Sequence, residues 1–191
     1  MNTVAQSTQA TVEVKQSKFI AHLVPISEYA GVQEKLRAAH PKSRHVVYAL
    51  RRLNEHDQIV ENSSDDGEPK GSSGVPALNV LRGEEMINCA VLIVRYFGGT
   101  KLGIGGLVRA YTQATKEVIA VSNIKKYEKL HIFFYQSEYS AVQRIEYLLN
   151  QVDIIDVKKE FASDVAWSIS ATQEKIDAFR ELVGRTIICS V

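Results

Sequence analysis

Residues Cys89 to Tyr111 read CAVLIVRYFGGTKLGIGGLVRAY. The first six are an unbroken apolar run, the composition of a strand covered on both faces. Five of the chain's eleven glycines then fall within nine residues, at Gly98, Gly99, Gly103, Gly105 and Gly106. From there Leu107, Tyr111, Ala114, Val118 and Val121 recur at helical spacing, with Arg109, Gln113 and Lys116 on the opposite side. A strand, a glycine loop and a helix start form a context in which main-chain N–H groups converge on an anion. The same glycines also allow a tight turn with positive φ and close packing.

Neither familiar phosphate fingerprint fits. Gly98 to Gly103 has the P-loop spacing but continues with Ile104 and Gly105 where a lysine and a hydroxyl are needed. A dinucleotide motif begun at Gly103 and Gly105 meets Val108 in place of its third glycine. Charge supplies a separate signal. Every charged residue from Arg95 to Tyr111 is positive (Arg95, Lys101, Arg109), whereas Glu61 to Gly71 holds Glu61, Asp65, Asp66 and Glu68 against Lys70. Two accounts stand open: the acidic segment clasps the basic one, or the two form a groove in which cations and amides take phosphate while carboxylates hold Mg²⁺.

Around this segment, TVEVKQSKFIAHLVPI reads as strand, a helix opens at Ser27 and ends at Pro41, and HVVYALRRL and DQIVE read as further strands. ENSSDDGEPKGSSG is turn-rich and VPALNVLRG a short helix. SNIKKYE is a polar break, so the expected domains are 1–123 and 124–191. The second begins with the strand KLHIFFY. A helix follows with a capping box at Ser140 and Gln143, then strands at VDIIDV and DVAWSIS. Last come a helix capped by Thr172 and stopped at Gly184, and a final strand RTIICS. That βαββαβ order predicts a ferredoxin-like domain, and the chain as a whole is expected to be α+β.

With 191 residues, 45% apolar, and a net charge of +1, the chain is neither a strongly basic nucleic-acid clamp nor a disordered one. The start lacks the basic and apolar regions of a signal peptide, and no run reaches membrane-spanning length, so a cytoplasmic protein without membrane attachment is expected. Cys89 and Cys189 sit in strand-like surroundings without metal-ligand spacing and are expected to be buried thiols. His45, Ser73 and Asp66 could be drawn as a triad, but no nucleophile elbow surrounds any serine. Tyr96 and Phe97 would suit base stacking, although aromatics ending a buried strand are more often core.

SDDGEPKGSSGVPAL (64–78) and VRYFGGTKLGIGGLVRAY (94–111), with SRHVVYAL and KQSKFIAHLVPI, closely resemble the paired motifs of the YigZ/IMPACT family. Ser72 and Ser73 stand where the family commonly has Thr and Ala. The resemblance implies an N-terminal domain similar to a ribosomal-protein domain and to domain IV of elongation factor G, followed by a ferredoxin-like domain similar to domain V of that factor. It implies association with translation: RNA or the ribosome in bacterial members, a protein partner in eukaryotic ones, and neither an established enzyme activity nor a cofactor. No catalytic or metal residue is assigned. The ligand-binding set is His45, Asp65, Asp66, Glu68, Gly71, Ser72, Gly74, Arg95, Tyr96, Gly98, Gly99, Lys101, Gly103, Gly105, Gly106 and Arg109. The alternatives to RNA or ribosome contact are a phosphate-ligand enzyme using Mg²⁺ at the acidic loop and a protein-binding regulatory module; oligomeric state is not readable.

Overall fold

The computed structural model describes residues 1–188, with the backbone alone for 185–188. It is an α+β chain in two units, Met1–Tyr127 and Glu128–Val191. The division falls four residues later than the expected boundary between 123 and 124. Ile124–Lys126, inside that break, pairs antiparallel with Asn2–Val4 and so belongs to the first unit.

In chain order the first unit contains β1 (Asn2–Val4), β2 (Thr8–Val14), β3 (Ser17–Pro25), α1 (Tyr29–Ala39), β4 (His45–Leu53) and β5 (Ile59–Ser64). There follow α2 (Gly74–Gly83), β6 (Cys89–Tyr96), α3 (Gly103–Ala120) and β7 (Ile124–Lys126). Five strands form one antiparallel sheet in the order β2-β3-β6-β4-β5. Strand β6 lies at its centre, and helices cover both faces. Cys89, Val91 and Ile93 pack with Phe19, Leu81, Tyr111 and Ala114 under α2 and α3, while Ala90, Leu92 and Val94 pack with Leu36 under α1. Two-sided burial is why this strand reads as a continuous apolar run. The stretch 11–26, which reads as strand, falls mostly within a hairpin of β2 and β3 whose turn residues Lys15 and Gln16 both have positive φ, 45° and 64°. The turn carries no glycine, so its pattern does not announce it. Helix α3 begins at Gly103, four residues before the first residue of its apolar stripe, Leu107, and Val121 lies just past its end and is exposed.

The second unit consists of β8 (His131–Ser137), α4 (Val142–Gln151), β9 (Asp156–Phe161), β10 (Val165–Ala171) and α5 (Gln173–Ile188). Its three strands are antiparallel in the order β8-β10-β9. Trp167, Ile169, Ile145, Leu149, Ile176 and Phe179 make its core, and the Trp167 indole N–H donates to Ser137 Oγ at 2.8 Å.

Three expectations are corrected here. The final strand is not seen: residues 185–188 continue α5, because Gly184 stays helical instead of turning into a left-handed cap, and Cys189 and Ser190 lie outside the described residues. An isolated glycine inside a helix costs only about 1 kcal/mol. Ser140 is not a helix cap; it lies in a 3₁₀ turn and donates to Glu138, and α4 starts without a side-chain cap. The strand expected at 152–157 begins only at Asp156, since Val152 still closes α4 and Asp153 takes a positive φ of 54°.

A cationic cavity behind an acidic clasp

Strand alternation sets the site. Arg95 follows Cys89, Val91 and Ile93 on the α2/α3 face, and His45 stands opposite it in register at the start of β4. Tyr96 points to the other face, where its hydroxyl lies 2.8 Å from His40 Nδ1 at the end of α1. Ser43 Oγ is 3.0 Å from the carbonyl oxygens of both His45 and Arg95, tying the α1–β4 loop to the end of β6.

The acidic loop folds over this strand end with its carboxylates turned inward. Glu68 is buried and accepts both hydrogen bonds from Arg95 Nη1, at 2.7 and 2.9 Å, and one from the Tyr111 hydroxyl at 2.8 Å. Burial, with the Glu68 carboxylate beside it, pushes the Tyr111 phenol well up, so it remains the donor. Asp65 accepts from the N–H groups of Gly71, Ser73 and Gly74 and from the Ser73 hydroxyl. Partial burial opposes ionisation of Asp65, but the Ser73 hydroxyl and those three N–H groups together hold its carboxyl below the usual aspartate range. Asp66 accepts from Arg37 at 2.8 Å and from the Val46 N–H at 2.6 Å, and its carbonyl oxygen lies 2.7 Å from His45 Nδ1. All six carboxylate oxygens are engaged by protein donors, so this loop is a clasp and not an open ligand set. Among the described residues no group of three or more His, Cys, Asp or Glu converges as a metal site.

The glycines serve the same closure. A Cβ on Gly98 would stand 2.0 Å from the Gln16 carbonyl carbon, and the Gly98 N–H already donates to Ser17 Oγ. A Cβ on Gly74 would meet the Ser64 backbone at 2.8 Å. Gly71, Gly99 and Gly103 have positive φ. Ser72 is fully buried, and its hydroxyl has no partner among the described residues.

Outside the clasp lies a cavity of about 540 Å³ lined by Lys42, Arg44, Arg95 and Lys101, by His45, and by the rings of Tyr96 and Phe97. No carboxylate lines it. The side chains of Lys42, Arg44 and Lys101 make no hydrogen bond or ion pair among the described residues. Of the sequence-derived set, His45, Arg95, Tyr96 and Lys101 meet here. Asp65, Asp66 and Glu68 stay behind in the clasp. Gly71 instead borders a second groove, between α2 and α3, and the exposed Arg109 lies back along α3 over Gly105. Lys42, Arg44 and Phe97 are not in that set. The doublet of cations in PKSRH, just before a strand that pairs with the one ending in Arg95, is the available signal for the first two. Phe97, expected to be core as an aromatic ending a buried strand, is 60% exposed.

A family model described as the Impact N-terminal domain matches residues 15–119, a span that includes every residue lining the cavity. The relative described as "IMPACT family member YigZ" from Escherichia coli (strain K12) is 32% identical over 170 residues, covering 87% of this chain and 83% of its own length. "IMPACT family member YvyE" from Bacillus subtilis (strain 168) is 29% identical over 182 residues, with 94% and 83% covered. A solved structure described as "Crystal structure of an hypothetical protein" matches with a TM-score of 0.65 at 28% identity, over 99% of this chain and 93% of that one.

Proposed function

This chain belongs to the IMPACT family, and from that premise we propose that it is a translation-associated binding protein, not a catalyst, that takes RNA phosphate in the cavity at the end of β6. The observation that carries the reading is the gathering of three cationic side chains without internal partners, Lys42, Arg44 and Lys101, on one concave surface that no carboxylate lines. Cations without internal partners supply affinity for a polyanion by releasing its counterions, whatever its sequence. A net charge of +1 leaves that affinity to the local cluster and not to the surface as a whole. The inward clasp argues against a magnesium-dependent phosphate enzyme, because its carboxylates already satisfy Arg37, Arg95, Tyr111 and main-chain donors. Under the same reading the second unit is ferredoxin-like and the first resembles a ribosomal-protein domain. The strand order β8-β10-β9 supports the former.

The test is fluorescence anisotropy of labelled RNA against the full chain, repeated across a salt series. Binding is expected to weaken linearly in log K against log salt. The combined variant Lys42→Ala, Arg44→Ala, Lys101→Ala should flatten that slope by about 0.7 for each single-strand phosphate that is no longer neutralised. An unchanged slope would reject the reading. A protein partner seated between α2 and α3 is the second reading, favoured by a groove of about 510 Å³ bordered by Val75, which is 45% exposed. It would be recognised by cross-links from that groove that survive nuclease.

A further inference from the structure

We infer that the cavity selects single-stranded RNA by stacking one unpaired base on the outer face of Phe97. This rests on the phosphate-binding reading above and adds what the cavity recognises besides charge.

The central strand runs from Cys89 to Val94 without an exposed residue, and then places a large ring, 60% exposed, at the cavity wall. A single exposed aromatic is ordinary. What sets Phe97 apart is its support. The Arg95 guanidinium lies over the Phe19 ring at 5.6 Å and over the Phe97 ring at 5.8 Å, so one cation serves both a buried aromatic and an exposed one. Arg95 is in turn fixed by both oxygens of Glu68, and Glu68 by the Tyr111 hydroxyl. Phe97 therefore rests on an anchored cation while more than half of its surface is exposed. A platform held this way loses little freedom when a second flat group is added, which is the condition under which stacking contributes most to affinity.

The surroundings choose the flat group. Lys42, Arg44 and Lys101 place positive charge around the ring, as a base with its own phosphate and its neighbour's requires. A cavity of about 540 Å³ is of the size that encloses a small molecule. Paired bases in an RNA helix present edges in a shallow groove and cannot enter such a cavity, whereas an unstacked base can. No Asn, Gln, Asp or Glu lines the cavity, so nothing there matches the hydrogen-bonding edge of adenine, cytosine or uracil, while its Arg and Lys donors suit phosphate and a guanine edge alike. Among adenine, cytosine and uracil the preference is for an exposed π-face, not for a sequence.

The experiment uses the full chain and three probes at one salt concentration: a single-stranded 12-mer, the same 12-mer with an abasic residue at each position, and its blunt duplex. The single strand should bind at least tenfold tighter than either of the others, and oligo(A) and oligo(U) should differ only several-fold. Phe97→Ala should weaken single-strand binding on the order of tenfold with the salt slope unchanged, Phe97→Tyr should retain it, and 2-aminopurine in the strand should be quenched by the wild type and not by Phe97→Ala. Equal binding of duplex or abasic strand, or an unaffected Phe97→Ala, would overturn the stacking proposal; if the triple cation variant still flattened the slope, the phosphate reading would survive. No RNA binding by the wild type at low salt would remove both.

Discussion

Asp65, Asp66 and Glu68 sit within a few residues of one another and turn every carboxylate oxygen toward protein donors, while Lys42, Arg44 and Lys101 line the adjacent cavity with no internal partner among the described residues. Both groups are charged and both flank the same strand end, so charge alone does not separate structure from function. Burial does. A desolvated charge is tolerated only when fully paired, and Glu68 at 8% exposure meets that condition through Arg95 and Tyr111. A solvated charge needs no partner and contributes little to folding, which leaves it available to a ligand.

The contrast predicts a graded set of effects. Glu68→Ala should be the most damaging, since it strands the buried Arg95 guanidinium; a loss of about 3–5 kcal/mol in urea unfolding is expected. A loss below about 1 kcal/mol would mean that the clasp is not structural. Asp65→Asn keeps the shape but weakens four accepted hydrogen bonds, and should cost about 1.5–3 kcal/mol at pH 7. The same carboxyl gives a pH signature. Its folded pKa is depressed, so its contribution is complete above the unfolded value near 3.8 and is lost as pH falls through the folded value. Thermal melts should therefore show the gap between wild type and Asp65→Asn closing below about pH 4. Smallest of all, Lys42→Ala, Arg44→Ala and Lys101→Ala should each change stability by no more than about 0.5 kcal/mol. A larger loss would show that these cations hold the fold and would undo the division between the two groups.

The parts of the molecule with a strong local pattern are readable from the letters. The run Cys89–Val94 announces a strand covered twice, and Leu107, Tyr111, Ala114 and Val118 announce the buried stripe of α3. The opposition of charge between 61–71 and 95–111 is also visible, but it leaves a clasp and a shared groove equally open; the structure pairs Arg95 with Glu68. What the letters lack is direction. Glycine density suggests an anion cradle, but Gly98 is needed because the Gln16 backbone passes within a side chain's radius. Lys42 and Arg44 carry no motif, and only the pairing of β4 with β6 brings them to the cavity. The turn at Lys15 and Gln16 and the helical course of 185–188 escape the letters for a common reason: each runs against single-residue preference, and backbone context overrides it.

Strand β6 delivers Arg95 to one side of the sheet and Tyr96 to the other, and both border the cavity. The recognition surface thus inherits the odd–even parity of the innermost strand. Inserting a single residue between Cys89 and Val94 would exchange the two sides, presenting the aliphatic Val94 to Glu68 and driving the guanidinium under α1; deleting one would present the Tyr96 ring to Glu68 instead. Substitution can retune what this pocket accepts, but length variation is closed to it, because the frame that seats its side chains is the one that packs the interior.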